Sequence, residues 1–180
     1  MRENREVALS FVFEDEGKFV LRPDGGRANM GIGLHTLYDY RKRHKLNIPT
    51  YWDIEHLEKE EAGAIYGELF FDRCRFDELV SGVDYAVADT AVNLGVSGCA
   101  ELIQSKFNLN STRKFDDETI QYLNTRNPQE VIQGIRDAWI ERKRKQPLYG
   151  TPDAKGKTRG PGWENRDKRV RDRAMKLAGF

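Results

Sequence analysis

Glu16-Gly17-Lys18-Phe19-Val20-Leu21-Arg22-Pro23-Asp24-Gly25-Gly26-Arg27-Ala28-Asn29-Met30-Gly31-Ile32-Gly33 is the stretch on which the fold turns. Upstream of it, Asn4 is a suitable N-cap for a helix that reaches Glu16, with Val7, Phe11 and Val12 on one face. Gly17 stops that helix. Two short apolar runs, residues 18–21 and 30–33, flank the Pro23-Asp24-Gly25-Gly26 turn signal, which predicts a β-hairpin. It is the one sheet the chain predicts.

Everything downstream reads as helix. Patterning resumes near Thr36, and residues 58–70 put Ala62, Ile65 and Leu69 on one stripe. Residues 83–94 give the clearest core helix, with Val83, Ala86, Val87, Thr90, Ala91 and Leu94 three and four apart and Gly95 as C-cap. A helix burying Leu102, Ile103 and Phe107 follows. Asp116 caps a short one carrying Ile120 and Leu123. Asn127-Pro128 opens another, with Val131, Ile132, Ile135 and Trp139 inward. Residues 146–162 hold three prolines and four glycines and read as a loop, before a last basic helix over residues 163–177 with Trp163, Val170 and Leu177 on one side. The expected class is mainly α: a helical domain with one small hairpin and C-terminal helices packed as a semi-independent unit.

The 180 residues carry 30 Lys+Arg against 29 Asp+Glu, a net charge of +1. That balance conceals an asymmetry. Residues 136–176 hold fourteen basic and six acidic side chains, a net +8, so the remainder carries −7. An acidic body with a basic C-terminal third suits an anionic wall polymer, an anionic membrane or nucleic acid. A charged helix of this kind also reads as plain solvated surface. No apolar run nears the roughly 20 residues of a membrane span, and residues 1–6 are too acidic for a secretory signal. Two cysteines, Cys74 and Cys99, make neither a disulfide framework nor a zinc set. His35, His44 and His56 lack paired spacing, so no metal is expected. No serine stands in a nucleophile elbow, and no phosphate loop occurs.

Chemistry concentrates at Glu16. A carboxyl at a helix C-terminus meets the negative end of the dipole, and apolar neighbours such as Phe13 and Phe19 disfavour its charge. Both effects raise the pKa, as a general acid at neutral pH requires. The competing reading is a solvated acidic run, Glu14-Asp15-Glu16. Eight residues on, Asp24 stands in the hairpin turn, either as a turn residue or as a second group facing the acid. Asp89 and Asn93, four apart, share a helix face that serves as a cleft floor or as a buried polar brace. Tyr85 on that helix either lines the same cleft or belongs to the core rim. His35, just after Gly31-Ile32-Gly33, borders the site or is simply structural.

Glu16-Gly17-Lys18-Phe19 and Asp24-Gly25-Gly26-Arg27-Ala28-Asn29-Met30-Gly31-Ile32 resemble glycoside hydrolase family 108, the lysozyme-like N-acetylmuramidases, whose pattern reads Glu-Gly-Gly-Tyr, then Asp-Pro-Gly-Gly-Pro-Thr and Gly-Ile-Thr. Four further segments are similar to the family and in register: Leu57 to Ala62 with Ile65-Tyr66, Phe70-Phe71-Asp72, Asp89-Thr90-Ala91-Val92-Asn93-Leu94-Gly95, and Leu102-Ile103-Gln104. Residues from about 100 onward resemble the associated predicted peptidoglycan-binding module. Departures are local. Lys18 stands for a Gly, Phe19 for Tyr, Arg27-Ala28 for Pro-Thr and Gly33 for Thr, and Asp24 lies one position late.

The resemblance implies a peptidoglycan hydrolase of the phage endolysin or lysozyme type. It would cleave the β-1,4 bond between N-acetylmuramic acid and N-acetylglucosamine without a cofactor, with Glu16 as catalytic acid. Asp24, Asn29, His35, Tyr85, Asp89 and Asn93 are then candidates to bind substrate or position water. The expected domains are 1–97, catalytic, and 98–180, wall-binding, packed as one compact body. The expected partners are peptidoglycan glycan strands, with the basic third facing an anionic wall or outer-membrane surface. A monomer is expected, and no nucleic acid. The expected route is synthesis in a host cytoplasm, followed by holin- or lysis-dependent release to the wall. Two alternatives stay open: a lytic transglycosylase using the same single Glu, and an inactive wall-binding or virion protein.

Overall fold

The computed structural model describes residues 2–21, 25–152 and 158–180. Nine α-helices and one small sheet make up the regular structure among them, so the chain is mainly α. It divides into two compact units, Glu6–Asp72 and Met1–Arg5 joined with Arg73–Phe180.

In the first unit, α1 (Arg5–Glu16) ends where Gly17 takes φ 76° and returns its N–H to the Phe13 carbonyl at 3.2 Å. Three antiparallel strands follow rather than a single hairpin: β1 (Val20–Leu21), β2 (Arg27–Asn29) and β3 (Ile32–Gly33), in the order β1-β2-β3. Ala28 pairs with both Val20 and Gly33, and Asn29 with Ile32. That last register leaves a two-residue loop, Met30-Gly31, with φ of 47° and 78°. Positive φ at both positions is the hairpin turn whose twist matches the strands. The second hairpin escapes the sequence because Met is a poor signal for a left-handed position, which costs it about 1–2 kcal/mol.

α2 (Leu34–Arg43) and α4 (Lys59–Tyr66) follow the expected periodicity, and Ala62, Ile65 and Leu69 are all buried. α4 runs on as a π-helical turn over Gly67–Asp72. Between them lies α3 (Tyr51–Glu55), which apolar spacing does not announce. Its signal is polar: Asp53 accepts from both the Thr50 N–H and hydroxyl at 2.7 Å, a capping box on a five-residue helix. α3 packs on β2.

The second unit is built around α5 (Val83–Leu94), where nine consecutive residues, Val83 to Ala91, are buried. A helix buried all round must satisfy its polar side chains, and Asp84, Asp89 and Thr90 all have hydrogen-bond partners. Asp84 accepts from the Gly82 and Tyr85 N–H groups and from the Asn4 amide. Asn4, expected as a cap for α1, thus sends its amide nitrogen to Asp84 and Ser81, at 2.8 and 2.7 Å. α6 (Val96–Lys106), α8 (Pro128–Arg144) and α9 (Arg159–Leu177) pack on α5, and α7 (Asp117–Thr125) packs on α8. The caps are as expected: Asp116 accepts from the Thr119 N–H, and Asn127 from the Gln129 and Glu130 N–H groups.

Two expectations shift. Phe107 is half-buried, its ring tilted against Tyr122 with centroids 5.2 Å apart. α9 starts at Arg159 instead of residue 163, because Pro161 is tolerated in a first turn and Gly160 lies against the Tyr149 ring, where a Cβ would come within 2.9 Å. The two compact units divide at Asp72/Arg73, which puts α5 with its neighbours α6, α8 and α9.

Candidate active site

Within the first unit, the end of α1 and the Met30-Gly31 turn meet. A Cβ placed on Gly31 would lie 2.8 Å from Glu16 Oε2 and 2.9 Å from its Cγ, and closer still to the Tyr66 hydroxyl. The half-buried carboxyl of Glu16, the bare backbone of Gly31 and the Tyr66 hydroxyl therefore share one small volume. Tyr66 donates to the Met30 carbonyl at 2.7 Å, which fixes the turn. Its buried ring meets Phe13 edge-on, with centroids 5.8 Å apart, and lies 5.6 Å from Phe70. The acid thus stands over an aromatic and glycine support. Of its two expected apolar neighbours, Phe13 contributes to that support, while Phe19 is exposed.

The other candidates are placed as follows. Asp24 lies outside the described residues. Asn29 directly precedes the turn, and its amide nitrogen donates to the Glu55 carbonyl at 3.3 Å. Arg27, on the same face of β2, pairs with Glu55 and lies over the Tyr51 ring at 4.9 Å, so both side chains fasten β2 to α3. His35 is 88% exposed and sits 3.5 Å from Asp39.

Tyr85, Asp89 and Asn93 belong to the second unit. Tyr85 is fully buried. Asn93 is exposed and bonds back to the Asp89 carbonyl at 2.8 Å. Asp89 itself is 1% exposed and accepts from Arg136 at 3.0 Å and Arg166 at 3.3 Å. Arg136, 2% exposed, also reaches Thr90 and Asp167. The Asp89–Asn93 face is thus held by a buried ion network across α5, α8 and α9.

Tyr66 and Gly31 are the site residues that spacing does not reveal. Tyr66 occurs in the sequence as part of the Ile65-Tyr66 segment and as one more apolar position of α4. Among the described residues no group of three or more His, Cys, Asp or Glu gathers in a way that could hold a metal. Burial pushes the Cys99 thiol up, so it is an inert core thiol. No helix among the described residues is long and apolar enough to cross a membrane.

A carboxyl at the end of the first helix, set against a glycine-containing hairpin in a mainly helical chain, is a lysozyme-like arrangement. The family model described as Glycosyl hydrolase 108 matches residues 9–95, from within α1 to the end of α5. The structure is similar to that of Brucella abortus SagA, with a TM-score of 0.86 and 26% identity, over 99% of this chain and 97% of that one. No match was found among curated protein sequences. The family and the structural likeness support a peptidoglycan hydrolase.

Proposed function

We propose that the protein is an N-acetylmuramidase that cleaves the β-1,4 bond between N-acetylmuramic acid and N-acetylglucosamine, with Glu16 as the general acid. The observation that carries this reading is the Glu16 carboxyl held against Gly31 and Tyr66 at the end of α1. Glu16 gives its proton to the glycosidic oxygen as the bond to the anomeric carbon breaks. Water then adds to the oxocarbenium-like centre and leaves a reducing-end muramic acid. The bare backbone at Gly31 lets the Glu16 carboxyl and the Tyr66 hydroxyl pack directly against the turn. Peptidoglycan glycan strands are the proposed partner, with the basic segment 136–176 attracted to the anionic wall. Such a substrate places the working protein outside the cytoplasmic membrane.

Clearing of purified peptidoglycan by wild type and Glu16→Gln tests the assignment. The variant is expected to lose at least about a hundredfold in rate, the scale of a lost general acid, with an unchanged melting temperature. Equal clearing by both proteins removes Glu16 from the role. Mass spectrometry of the fragments separates hydrolysis from transglycosylation, whose anhydro product is lighter by one water.

A further inference from the structure

The last turn of α2 and the loop after it, Arg41-Lys42-Arg43-His44-Lys45-Leu46-Asn47-Ile48-Pro49, have no part in the chemistry above. Their charges are divided in a definite way. Arg41 is taken up by Asp53 and Glu61, and His44 by Glu68. Lys42, Arg43 and Lys45 are exposed and have no carboxylate partner among the described residues, and the Lys42 ammonium lies 5.8 Å from the Tyr38 ring. Lys45 takes φ 55° where α2 ends, and the Leu46 N–H returns to the Arg41 carbonyl at 2.9 Å, which turns the chain outward. Pro49 is buried and anchors the far end. Between these fixed points Leu46 is 51% exposed and Ile48 76%. A cavity of about 290 Å³ opens among Tyr38, Lys42, Lys45, Leu46, Ile48 and Pro49.

Exposed aliphatic residues scattered singly need no explanation, and a lone cationic run is ordinary solvated surface. Here the two coincide on a loop anchored at both ends. We propose that this loop docks on an anionic lipid bilayer, with Lys42, Arg43 and Lys45 against headgroup phosphates and Leu46 and Ile48 entering the interface. Cations near a negative leaflet are drawn to it, and aliphatic side chains at the headgroup boundary gain by leaving water. Lys42 and Lys45 both line the cavity, and a lysine can lay its aliphatic stem on apolar surface while its ammonium stays at the headgroups. Resting on the muramidase reading, the contact would hold a wall-cutting enzyme at a membrane next to its substrate.

Co-sedimentation of the full chain with vesicles of phosphatidylglycerol and phosphatidylcholine, and with vesicles of phosphatidylcholine alone, tests the proposal. Wild type is expected to bind the anionic vesicles and to leave the neutral ones in solution. Leu46→Ser/Ile48→Ser keeps the net charge but is expected to weaken anionic binding by about tenfold. Lys42→Gln/Lys45→Gln is expected to weaken it at least as much. Unchanged melting temperatures confirm that the variants are folded. Undiminished binding by Leu46→Ser/Ile48→Ser would assign vesicle retention to charge elsewhere and overturn the proposal. So would equal retention on neutral vesicles, or no binding by wild type. The readout needs no glycan cleavage, so its failure and that of the muramidase reading are separate events.

Discussion

Gly31 contributes to the site by having no side chain. Its φ of 78° and its closeness to Glu16 and Tyr66 both exclude a Cβ, so Gly31→Ala meets strain and collision together. Tyr66 is the complementary residue, because its hydrogen bond to the Met30 carbonyl holds the turn that supports the acid. Tyr66→Phe is expected to cost about 1 kcal/mol of stability, the worth of one hydrogen bond, and to lower kcat while KM stays near wild type. Steady-state kinetics on soluble wall fragments and denaturant unfolding check this. A Tyr66 that only filled the core would shift stability and leave kcat alone. Glu16 is legible in the sequence because a helix end, a glycine and a turn signal are local features. Tyr66 is not, since nothing along the chain relates position 66 to position 16 before α4 packs against α1 and the hairpin.

At the scale of the element, α8 shows how a correct period can be read too briefly. Val131, Ile132, Ile135 and Trp139 lie inward as the spacing predicts, and the next step of four on that stripe is Lys143. In the sequence it belongs to the run Arg142-Lys143-Arg144-Lys145 and so reads as surface. The structure buries it, with its ammonium 4.7 Å from the centroid of the Trp139 ring. Burial lowers its pKa from 10.5 to about 8, against a smaller opposing pull from Asp167. Below pH 8 the lysine is protonated in both states and its burial costs the fold in full. Between about 8 and 10.5 the unfolded chain binds more protons, so stability rises with pH across that window. Lys143→Met keeps the stem and removes the charge. It is expected to be more stable than wild type at pH 7, by up to roughly 3 kcal/mol, with the gain gone near pH 11. Urea unfolding along a pH series gives both the sign and the window. Arg136, about two turns earlier on α8, escapes sequence reading for a related reason: its partners Asp89 and Asp167 lie 47 and 31 residues away.

At the scale of the whole molecule, the useful quantity is how the basic third spends its charge. Arg136 and Arg166 are held by Asp89, Arg144 by Glu164 and Arg171 by Asp172, and Lys143 is buried. Five of the fourteen basic side chains of residues 136–176 are therefore paired or buried within the second unit, which composition cannot distinguish. Arg142, Lys145, Lys168 and Lys176 are exposed. Arg142 and Lys145, with Lys106, Glu101 and Glu141, line a groove of about 600 Å³ between α6 and α8. If the wall is held by these few open cations, retention of Glu16→Gln on purified peptidoglycan is a screened, surface interaction. Neutralising Arg142, Lys145, Lys168 and Lys176 together to Gln is expected to cut that retention severalfold at low salt. At about 0.5 M salt, where the screening length is well under 10 Å, it should change nothing. Retention that ignores both salt and these four residues would place wall contact in uncharged groups of the glycan site.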